Sequence, residues 1–413
     1  MAEKVVLAYS GGLDTSVAIR WIMDTYGMDV VTLTADLGDA KASEEVRQRA
    51  LKTGAVAAYV EDAKEMLVKH FIFPAIQANA LYEGVYPLAT ALGRPLIAWH
   101  LVEVARKEGA KAIAHGCTGK GNDQVRFEVS IQALAPELRV IAPAREWDMT
   151  DRAMEIAYAA KHKIPVPVTV AKPYSIDENL YGRSVEGGVL EDPWAEPPED
   201  VYAWTKSVAA APDKPAYVEI TFELGIPKAL NGEVLDGVTL IKNLNVLAGE
   251  QGVGRIDHIE NRLVGIKSRE VYESPAAVVL VQAHQALETM TLSKDQVRFK
   301  ARVSQEYADL IYNGLWFTAH HQNLASYIQS TQKHVSGTIR LRLHKGSSVV
   351  VGRKATESLY QLRLASYGKE DAFDHHASVG FIHIWGLPVK TQARQQLLGK
   401  PEETLRLASP QGG

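Results

Sequence analysis

The chain has 413 residues, of which 45 are lysine or arginine and 49 are aspartate or glutamate, so its formal net charge is −4. Hydrophobic residues make up 46% and charged residues 23%, a balance that excludes a largely disordered, collagen-like or coiled-coil chain. The near-neutral charge gives no electrostatic reason to expect a nucleic-acid or membrane partner. At roughly 150 residues per domain, two or three domains are expected.

The single cysteine, Cys117, excludes intramolecular disulfides and sites that need several cysteine ligands, such as four-thiolate zinc sites and iron–sulfur clusters. The apolar run near the amino terminus, Val5 to Ala8, is too short for the core of a signal peptide. No segment has the ~20 apolar residues that a membrane-spanning helix needs. These features predict a cytoplasmic protein.

Short β-rich runs alternate with helical patterns up to about Ile164. The predicted strands are 5–8, 30–33, 56–60, 111–115 and 138–141, and the predicted helices are 14–25, 43–52, 95–107, one from 122, and 150–161. Strand–helix alternation at this spacing predicts an α/β fold, in which helices cover both faces of a parallel sheet.

The pattern changes after Ile164, where prolines cluster at 165–173 and again at 193–198. Prolines at this density break helices and central strands, so they indicate a domain boundary or long surface segments. Beyond them the sequence predicts an α+β region, with a strand at 217–224, a helix at 276–289 and a hairpin of 337–343 with 348–352. The final stretch predicts a helix at 389–398.

Three domains are therefore predicted: a nucleotide-binding domain at 1–168, an α+β substrate domain at 169–370 and a helical tail at 371–413. The tail has little apolar core of its own. It is as compatible with packing on a neighbouring subunit, as an oligomerisation arm, as with lying on its own domain.

A glycine-containing loop, Ser10-Gly11-Gly12-Leu13-Asp14-Thr15-Ser16, lies between the first predicted strand and helix. Glycine lets the backbone approach an anion closely, and the free N–H groups at a helix start favour phosphate. The alternative is a plain glycine turn capped by Asp14. The chain has no Walker-type Gly-Lys-Ser/Thr and no GxGxxG. The full string SGGLDTS resembles the pyrophosphate-binding loop of the PP-loop (adenine nucleotide α-hydrolase-like) enzymes, which split ATP into AMP and pyrophosphate.

A second loop, HGCTGKGNDQVRF (115–127), follows another predicted strand and opens a helix. Its three glycines and one lysine suit close approach to a phosphate or carboxylate. Asn122 is a good helix N-cap, and Arg126 lies one turn later on the same helix face. Together with Asp123 they could pair with the ammonium and carboxylate of an amino acid. The alternative is a capped helix with a surface Asp123–Arg126 pair.

Both loops resemble those of the argininosuccinate synthases. AYSGGLDTS and G-x-T-x-K-G-N-D-x-x-R-F match two signatures of that family. YEGVYPLAT (82–90), SIDENL (175–180), Ser184 with EGGVLEDP after it, and ENRLVGIKSREVYE (260–273) extend the similarity over roughly residues 4–385. The resemblance implies that ATP, citrulline and aspartate give argininosuccinate, AMP and diphosphate, with Mg²⁺. It also implies a homotetramer.

The resemblance assigns residues to three small-molecule ligands and implies no covalent intermediate. ATP would be held by Ala8, Tyr9, Ser10, Gly11, Gly12, Leu13, Asp14, Thr15, Ser16, Ala35 and Gly116. Aspartate would be held by Thr118, Asn122 and Asp123, and citrulline by Tyr86, Thr90, Asn122, Arg126, Ser175, Ser184, Glu260 and Tyr272. Positioning of the reactants would fall to Asp14, Lys120, Asn122 and Arg126. The Mg²⁺ is expected to arrive with ATP, without a dedicated protein site.

Two positions depart from the family pattern: Asp39, where glutamine is usual, and Ala91, where some members have serine. Cys117 is expected to be a bystander. The adjacent pairs His320-His321 and His375-His376 match no familiar metal-ligand spacing.

Two other functions remain open at this point. One is a PP-loop tRNA thiolase, but persulfide chemistry normally needs paired cysteines and this chain has one. The other is a non-catalytic nucleotide-binding module, which would bind ATP without releasing pyrophosphate. The second loop and the long second domain argue against such a module.

Overall fold

A computed structural model of the chain describes residues 2–38, 44–165 and 174–397. The chain divides into two compact units, a larger one that ends at Leu359 and a smaller one that begins at Tyr360. The domain boundaries expected at 168/169 and 370/371 stay predictions, and Asp39 lies outside the described residues. No helix in the described ranges is long and apolar enough to cross a membrane.

The larger unit begins with a five-stranded sheet. Its strands are β1 (Lys4–Ala8), β2 (Asp29–Asp36), β3 (Ala57–Asp62), β4 (Ala112–Ala114) and β5 (Arg139–Ile141). They lie in the order β3-β2-β1-β4-β5 and every pair is parallel, which confirms the predicted α/β fold. Because side chains alternate along a strand, Val5 and Leu7 pack with Ile19 on one face while Val6 packs with Leu101 on the other.

Helices cover both faces of this sheet. The helices of this part of the chain are α1 (Leu13–Tyr26), α2 (Glu44–Thr53), α3 (Lys64–Leu67), α4 (Phe73–Ala78), α5 (Ala89–Glu108), α6 (Asn122–Leu134), α7 (Pro143–Glu146) and α8 (Arg152–Lys161), with a π-helical turn at Val68–Ile72 joining α3 to α4. Helices α1 and α2 pack on one face of the sheet, and α5 and α6 pack on the other. The predicted start of α5 at Pro95 was wrong. The helix begins at Ala89 and Pro95 lies buried inside it, where surrounding packing retains the helix despite the missing N–H.

The rest of the larger unit holds two antiparallel sheets. Their strands are β6 (Ser175–Asn179), β7 (Gly182–Glu186), β8 (Ala216–Glu223), β9 (Ile226–Leu230), β10 (Glu233–Val234), β11 (Arg255–Asn261), β12 (Lys267–Glu273), β13 (Gly337–His344) and β14 (Ser347–Ala355). The four-stranded sheet has the order β11-β12-β7-β6, and the five-stranded sheet has the order β10-β9-β8-β13-β14. The predicted carboxy-terminal hairpin is confirmed as the β13–β14 pair.

One hydrophobic core joins these sheets to the helices around them. The helices of this region are α9 (Gly237–Glu250), α10 (Pro275–Thr291), α11 (Lys294–Tyr312) and α12 (Ala319–Thr331). Leu92 of α5, Tyr272 of β12, Leu280 of α10 and Ile339 of β13 belong to the same buried cluster. Because this cluster is shared, the four-stranded sheet is held against α5, at the edge where the parallel strands end.

The smaller unit contains α13 (Leu362–Ala365), α14 (His375–Gln392) and a π-helical turn at Ala393–Leu397. The predicted start of a helix at 389 was wrong, because Asp374 caps a helix that begins at His375 by accepting from the N–H groups of His376 and Ala377. Large apolar side chains along α14 are exposed: Val379, Phe381, Ile382, Ile384, Trp385, Leu387 and Val389. These side chains are spread around the helix, and exposed apolar surface of this extent is typical of an interface.

A buried carboxylate joins the four-stranded sheet to the segment that precedes β8. Glu273 accepts hydrogen bonds from Arg183 Nη1 of β7 (2.9 Å), from the N–H groups of residues 203–205 (2.8–2.9 Å) and from Thr205 Oγ1 (2.7 Å). Both oxygens of Glu273 accept hydrogen bonds, so these bonds and the ion pair with Arg183 compensate a carboxylate that is fully buried.

Replacing Glu273 with glutamine should lower the free energy of unfolding by about 3 kcal/mol, because the amide would turn its hydrogens toward N–H donors and remove the charge that Arg183 pairs with. Chemical denaturation measures the loss. Glu223→Gln, at the exposed end of β8, is the matched control and should change stability by less than about 0.5 kcal/mol. Equal effects of the two substitutions would contradict this account of Glu273.

Candidate active site

Two adjoining cavities lie at the carboxyl ends of the parallel strands. The larger, of about 560 Å³, is lined by residues that follow β1, β2 and β4. The smaller, of about 210 Å³, lies between the second loop and the four-stranded sheet. Cys117, Asp123, Ser175 and Asp177 line both. β1 and β4 are adjacent, and the strands that follow each of them in the sequence lie on opposite sides of this pair. Open α/β sheets bind ligands where the strand order reverses in this way.

The first loop lies at one end of the larger cavity. Gly11 has φ +77°, a backbone conformation that favours glycine, and a Cβ there would lie 3.1 Å from Val46 Cγ1. Ser10 Oγ lies 3.1 Å from Thr15 Oγ1, so two hydroxyl groups meet at the start of α1. The first N–H groups of α1 have no partner within the helix. This arrangement suits a phosphate group.

The second loop joins the two cavities. Gly116 faces the first loop, since a Cβ there would lie 3.0 Å from Thr15 Cγ2. The expectation that Asn122 caps α6 was wrong: the helix starts at Asn122, and Gly121 occupies the cap position without a side-chain hydrogen bond. The Asn122 amide instead accepts from the Leu263 N–H (2.9 Å) and donates to the Tyr312 hydroxyl (2.8 Å). The second loop is thereby tied to two distant parts of the chain.

Two arginines hold Asp123 at the boundary between the cavities. Arg94 Nη2 donates to Asp123 Oδ2 (2.8 Å) and also to Asp177, while Arg126 Nη1 donates to Asp123 Oδ1 (2.9 Å). Although burial acts in the opposite direction, the positive charges of Arg94 and Arg126 lower the pKa of Asp123. Asp123 is therefore an anion at neutral pH. Among the residues that the structure describes, Arg94 Nε and Arg126 Nη2 are buried and have no hydrogen-bond partner.

A buried carboxylate and an aromatic pair form one wall of the smaller cavity. Glu260 of β11 accepts hydrogen bonds from the hydroxyl groups of Tyr272 and Tyr312, one at each oxygen. The Tyr272 ring stacks on Tyr86, with centroids 4.0 Å apart and planes 11° apart. The Tyr86 hydroxyl in turn accepts from the Thr90 N–H (3.0 Å). These contacts fix the side chains before any ligand enters.

Carboxylates outnumber guanidinium groups around the smaller cavity. Its lining includes Asp123, Asp177, Glu186, Glu260 and Glu270 against Arg126 and Arg262. Arg262 Nη2 donates both to Glu186 and to Glu270 Oε1 (2.7 Å), so two carboxylates share one N–H₂ group. Burial, followed by the charge of Glu186, raises the pKa of Glu270 to about 8. A cationic group entering this cavity would relieve the excess of negative charge.

Family models match two stretches of the chain: the arginosuccinate synthase N-terminal HUP domain at residues 4–165, and the arginosuccinate synthase C-terminal domain at residues 174–392. The argininosuccinate synthases of Dehalococcoides mccartyi, Gloeobacter violaceus and Bacillus licheniformis are 59%, 60% and 57% identical to it over 403, 394 and 391 residues. These alignments cover 98%, 95% and 95% of this chain and 99%, 99% and 96% of the relatives. The chain belongs to the argininosuccinate synthase family.

Argininosuccinate synthases are ligases of arginine biosynthesis, and their ATP-binding HUP domain corresponds here to the region built on the parallel sheet. Among solved structures, a U34-tRNA thiolase from Methanococcus maripaludis is 14% identical, with a TM-score of 0.27, and the match covers 42% of this chain and 60% of that one. A likeness this low carries no argument about fold or function.

Most residues that the family resemblance assigned to ligands line the two cavities. Ala8, Tyr9, Ser10, Gly12, Leu13, Asp14, Thr15, Ala35 and Gly116 line the larger one. The residues expected to bind aspartate and citrulline line the smaller one: Tyr86, Thr90, Thr118, Asn122, Asp123, Arg126, Ser175, Ser184, Glu260 and Tyr272. The residues predicted for the two amino acids thus line one cavity, next to the first loop, and their assignment to these ligands stays a prediction.

Three of the predicted residues line neither cavity. The Gly11 carbonyl accepts from Arg49 Nη1 (2.7 Å), and Ser16 is buried with its hydroxyl 2.9 Å from that of Tyr9. Lys120 is exposed beside the smaller cavity's loop. Gly11 and Ser16 therefore shape the first loop, and their assignment to ATP, like that of Lys120 to positioning, stays a prediction.

The remaining candidate groups lie apart from the cavities or are unreactive. Burial, together with the charge of Asp123, raises the pKa of the Cys117 thiol to about 12, so it is protonated. His321 is buried, and His320 and His375 each pair with one carboxylate. Within residues 2–38, 44–165 and 174–397, no three His, Cys, Asp or Glu side chains are grouped to hold a metal ion. Buried Ala91 is not among the lining residues.

Sequence reasoning missed several residues of this site, among them Arg94, Asp177, Glu186, Arg262, Glu270 and Tyr312. Glu186 and Glu270 each alternate on a strand with a residue that was found, Ser184 and Tyr272 respectively. That two-residue spacing places them on the same face of the sheet and could have identified them. Arg94 and Tyr312 carry no comparable local signal.

The raised pKa of Glu270 predicts a pH-dependent stability. Its folded-state value of about 8 lies above the ordinary 4.5, so the folded chain retains a proton that the unfolded chain loses, and the resulting stability disappears as the pH rises through 8. Glu270→Gln imitates the protonated form. The unfolding temperature of Glu270→Gln, minus that of the unsubstituted chain, should therefore become larger as the pH rises from about 6 to about 9.

Thermal unfolding at several pH values checks this expectation. Glu233→Gln, on exposed β10, is the control and should show the same pH dependence as the unsubstituted chain. If the difference between Glu270→Gln and the unsubstituted chain stays constant over this range, Glu270 does not hold the proton.

Proposed function

We propose that the chain joins L-citrulline to L-aspartate at the expense of ATP, through a citrullyl-adenylate, and releases argininosuccinate, AMP and diphosphate. The observation that carries the proposal is the shared wall of the two cavities at Asp123, between a pyrophosphate-type loop and an amino-acid-sized pocket. Membership of the argininosuccinate synthase family supports the same reaction.

The reaction needs activation because the carbon of a ureido group is a poor electrophile, with two nitrogens donating electrons into it. The ureido oxygen attacks the α-phosphorus of ATP, the bond to the β-phosphate oxygen breaks, and diphosphate leaves. The aspartate amine then attacks the ureido carbon, AMP leaves with the former ureido oxygen, and protons are lost from the amine. The chain's part is positioning and electrostatic stabilisation, without a covalent intermediate.

The larger cavity is the ATP site in this proposal. The loop of residues 10–16 offers N–H and hydroxyl groups to the phosphates, with Ala8, Ala35 and Gly116 beside the nucleotide. The lining also contains four carboxylates, Asp14, Asp123, Asp177 and Glu178, against two guanidinium groups. A triphosphate is therefore accommodated best when it brings its own cation, which fits Mg²⁺ carried by ATP, with Asp14 beside it. Mg²⁺ supplies charge neutralisation on the phosphates when bound.

The smaller cavity receives both amino acids. Asp123 is the acceptor for the aspartate ammonium, because its low pKa keeps it charged, and Thr118 and Asn122 lie beside it. Arg126 Nη2, which is buried and has no hydrogen-bond partner in the described ranges, is available to the citrulline carboxylate, and Glu260 to the citrulline ammonium. The two ligands then meet next to Asp123.

The expected experiment measures diphosphate release from Mg-ATP with citrulline and aspartate added singly and together. Release should require citrulline, and AMP with argininosuccinate should accumulate once aspartate is present. Thr118→Val should retain citrulline-dependent exchange of labelled diphosphate into ATP while argininosuccinate formation falls about tenfold, since only the second step needs aspartate held and Thr118 lies outside the Asp123 ion cluster.

Each result has one interpretation. Release that neither amino acid stimulates would keep the pyrophosphatase chemistry and contradict these substrates. No release under any condition would favour a nucleotide-binding module. Loss of ATP binding in Thr118→Val would contradict the assignment of Thr118 to aspartate.

We also propose a cytoplasmic homotetramer in which the exposed apolar side chains of α14 form an interface. Its support is the row of exposed side chains on that helix, including Phe381, Ile384 and Trp385. Light scattering should give about four times the chain mass of 45.3 kDa. Ile384→Glu should lower that mass, whereas Lys390→Glu, a substitution of a residue that is already charged, should not. A monomer in the unsubstituted protein would contradict the proposal.

A further inference from the structure

Tyr312, the last residue of α11, contacts residues of the smaller cavity through its backbone carbonyl, its ring and its hydroxyl group. Its backbone carbonyl accepts from Arg126 Nε at 2.8 Å. The guanidinium carbon of Arg126 lies 4.7 Å from the centre of the Tyr312 ring. The same ring stacks on that of Tyr82, with 3.5 Å between centroids and 6° between planes. The ring and the carbonyl therefore fix Arg126 together.

The hydroxyl group of Tyr312 connects two further residues. It accepts from Asn122 Nδ2 (2.8 Å) and donates to Glu260 Oε1. The direction of these bonds follows from the chemistry of the groups. The Leu263 N–H can only donate, so it fixes Oδ1 of Asn122 as its acceptor and leaves Nδ2 for Tyr312. The single hydroxyl hydrogen then remains for Glu260.

The turn after α11 brings this residue against α6. Gly314 has φ +74°, and a Cβ there would lie 2.7 Å from Arg126 Cα, which no side chain tolerates. The close approach allows the carbonyl of Tyr312 to reach Arg126. Tyr312 therefore contacts Arg126 and Asn122 although it lies 186 and 190 residues further along the chain.

We infer that Tyr312 is the positioning residue of the citrulline site: it sets the mutual orientation of Asn122, Arg126 and Glu260. The inference rests on the proposed function, since those three groups are the ones assigned to the amino-acid substrate. An amide, a guanidinium and a carboxylate bind the two ends of a zwitterion only when their spacing matches it. Tyr312 contacts all three and so maintains that spacing.

Tyr312→Phe tests the inference because it removes only the hydroxyl group and keeps the ring and the carbonyl. The KM for citrulline should rise about ten- to a hundredfold, as expected for a lost hydrogen bond to a charged group. The KM for ATP should stay within about twofold and kcat should fall less than the citrulline KM rises. Steady-state diphosphate release with each substrate varied gives these values.

Tyr307→Phe is the matched control. Tyr307 lies on the same helix, is buried to the same degree, and has ring contacts with Trp316 and His321. Its substitution should leave both KM values unchanged. A second control places Tyr312→Phe in a Glu260→Gln background, where it should add less than about threefold, because its effect is transmitted through that carboxylate.

Four results would overturn the inference. They are a citrulline KM within about twofold of normal, equal losses for citrulline and ATP, an effect of Tyr312→Phe that is fully additive with Glu260→Gln, and unfolding of Tyr312→Phe where Tyr307→Phe stays folded. The last would give the hydroxyl a structural role only. A failure of the proposed function is distinguishable, because the unsubstituted chain would then show no citrulline-dependent release.

Discussion

The ion cluster at Asp123 is the interaction on which the arrangement of both cavities depends. A carboxylate and two guanidinium groups removed from water cost several kcal/mol each unless they compensate one another. Asp123 compensates both guanidinium groups by accepting one hydrogen bond from Arg94 and one from Arg126. Arg94 also donates a hydrogen bond to Asp177. The cluster joins α5, α6 and β6, which are three elements from separate parts of the chain. Their relative placement is therefore a condition for burying the charges.

The parallel sheet makes the nucleotide loop predictable from sequence. Loops that follow neighbouring parallel strands meet at one edge, so a contiguous string after β1 and another after β4 had to lie side by side. Each of these two sequence motifs is continuous in the chain. Their glycines indicate a backbone conformation or a close approach that other residues do not allow, and this can be recognised without a structure. Gly11, with its positive φ, is an example. The family resemblance then supplied ligand assignments that pattern alone could not.

The parts that could not be predicted depend on contacts between distant residues. Asn122 has the composition of a helix cap, but its amide binds Leu263 and Tyr312, which are 141 and 190 residues away. Tertiary partners thus replaced the local hydrogen bond that propensity favours. Arg94 lies in the interior of a helix whose start was misplaced, since Pro95 gave a false boundary signal. In each case the local pattern favoured one structure, and contacts with distant residues or surrounding packing produced another.

The charge of the smaller cavity suits the intermediate of the proposed reaction better than it suits either substrate alone. Citrulline is a zwitterion, and its ureido group is neutral. Once the ureido oxygen is bonded to phosphorus, the remaining N–C–N group carries positive charge delocalised over the carbon and both nitrogens. Glu270 is protonated at neutral pH, and Arg94 pairs with two of the other four carboxylates, Asp123 and Asp177. Those four carboxylates against the guanidinium groups of Arg94, Arg126 and Arg262 leave an excess of negative charge, which favours that cation over its neutral precursor. The same excess disfavours a second anion, which agrees with the proposed entry of aspartate with its ammonium toward Asp123. Stabilisation of the activated carbon and orientation of the attacking amine therefore follow from one distribution of charge.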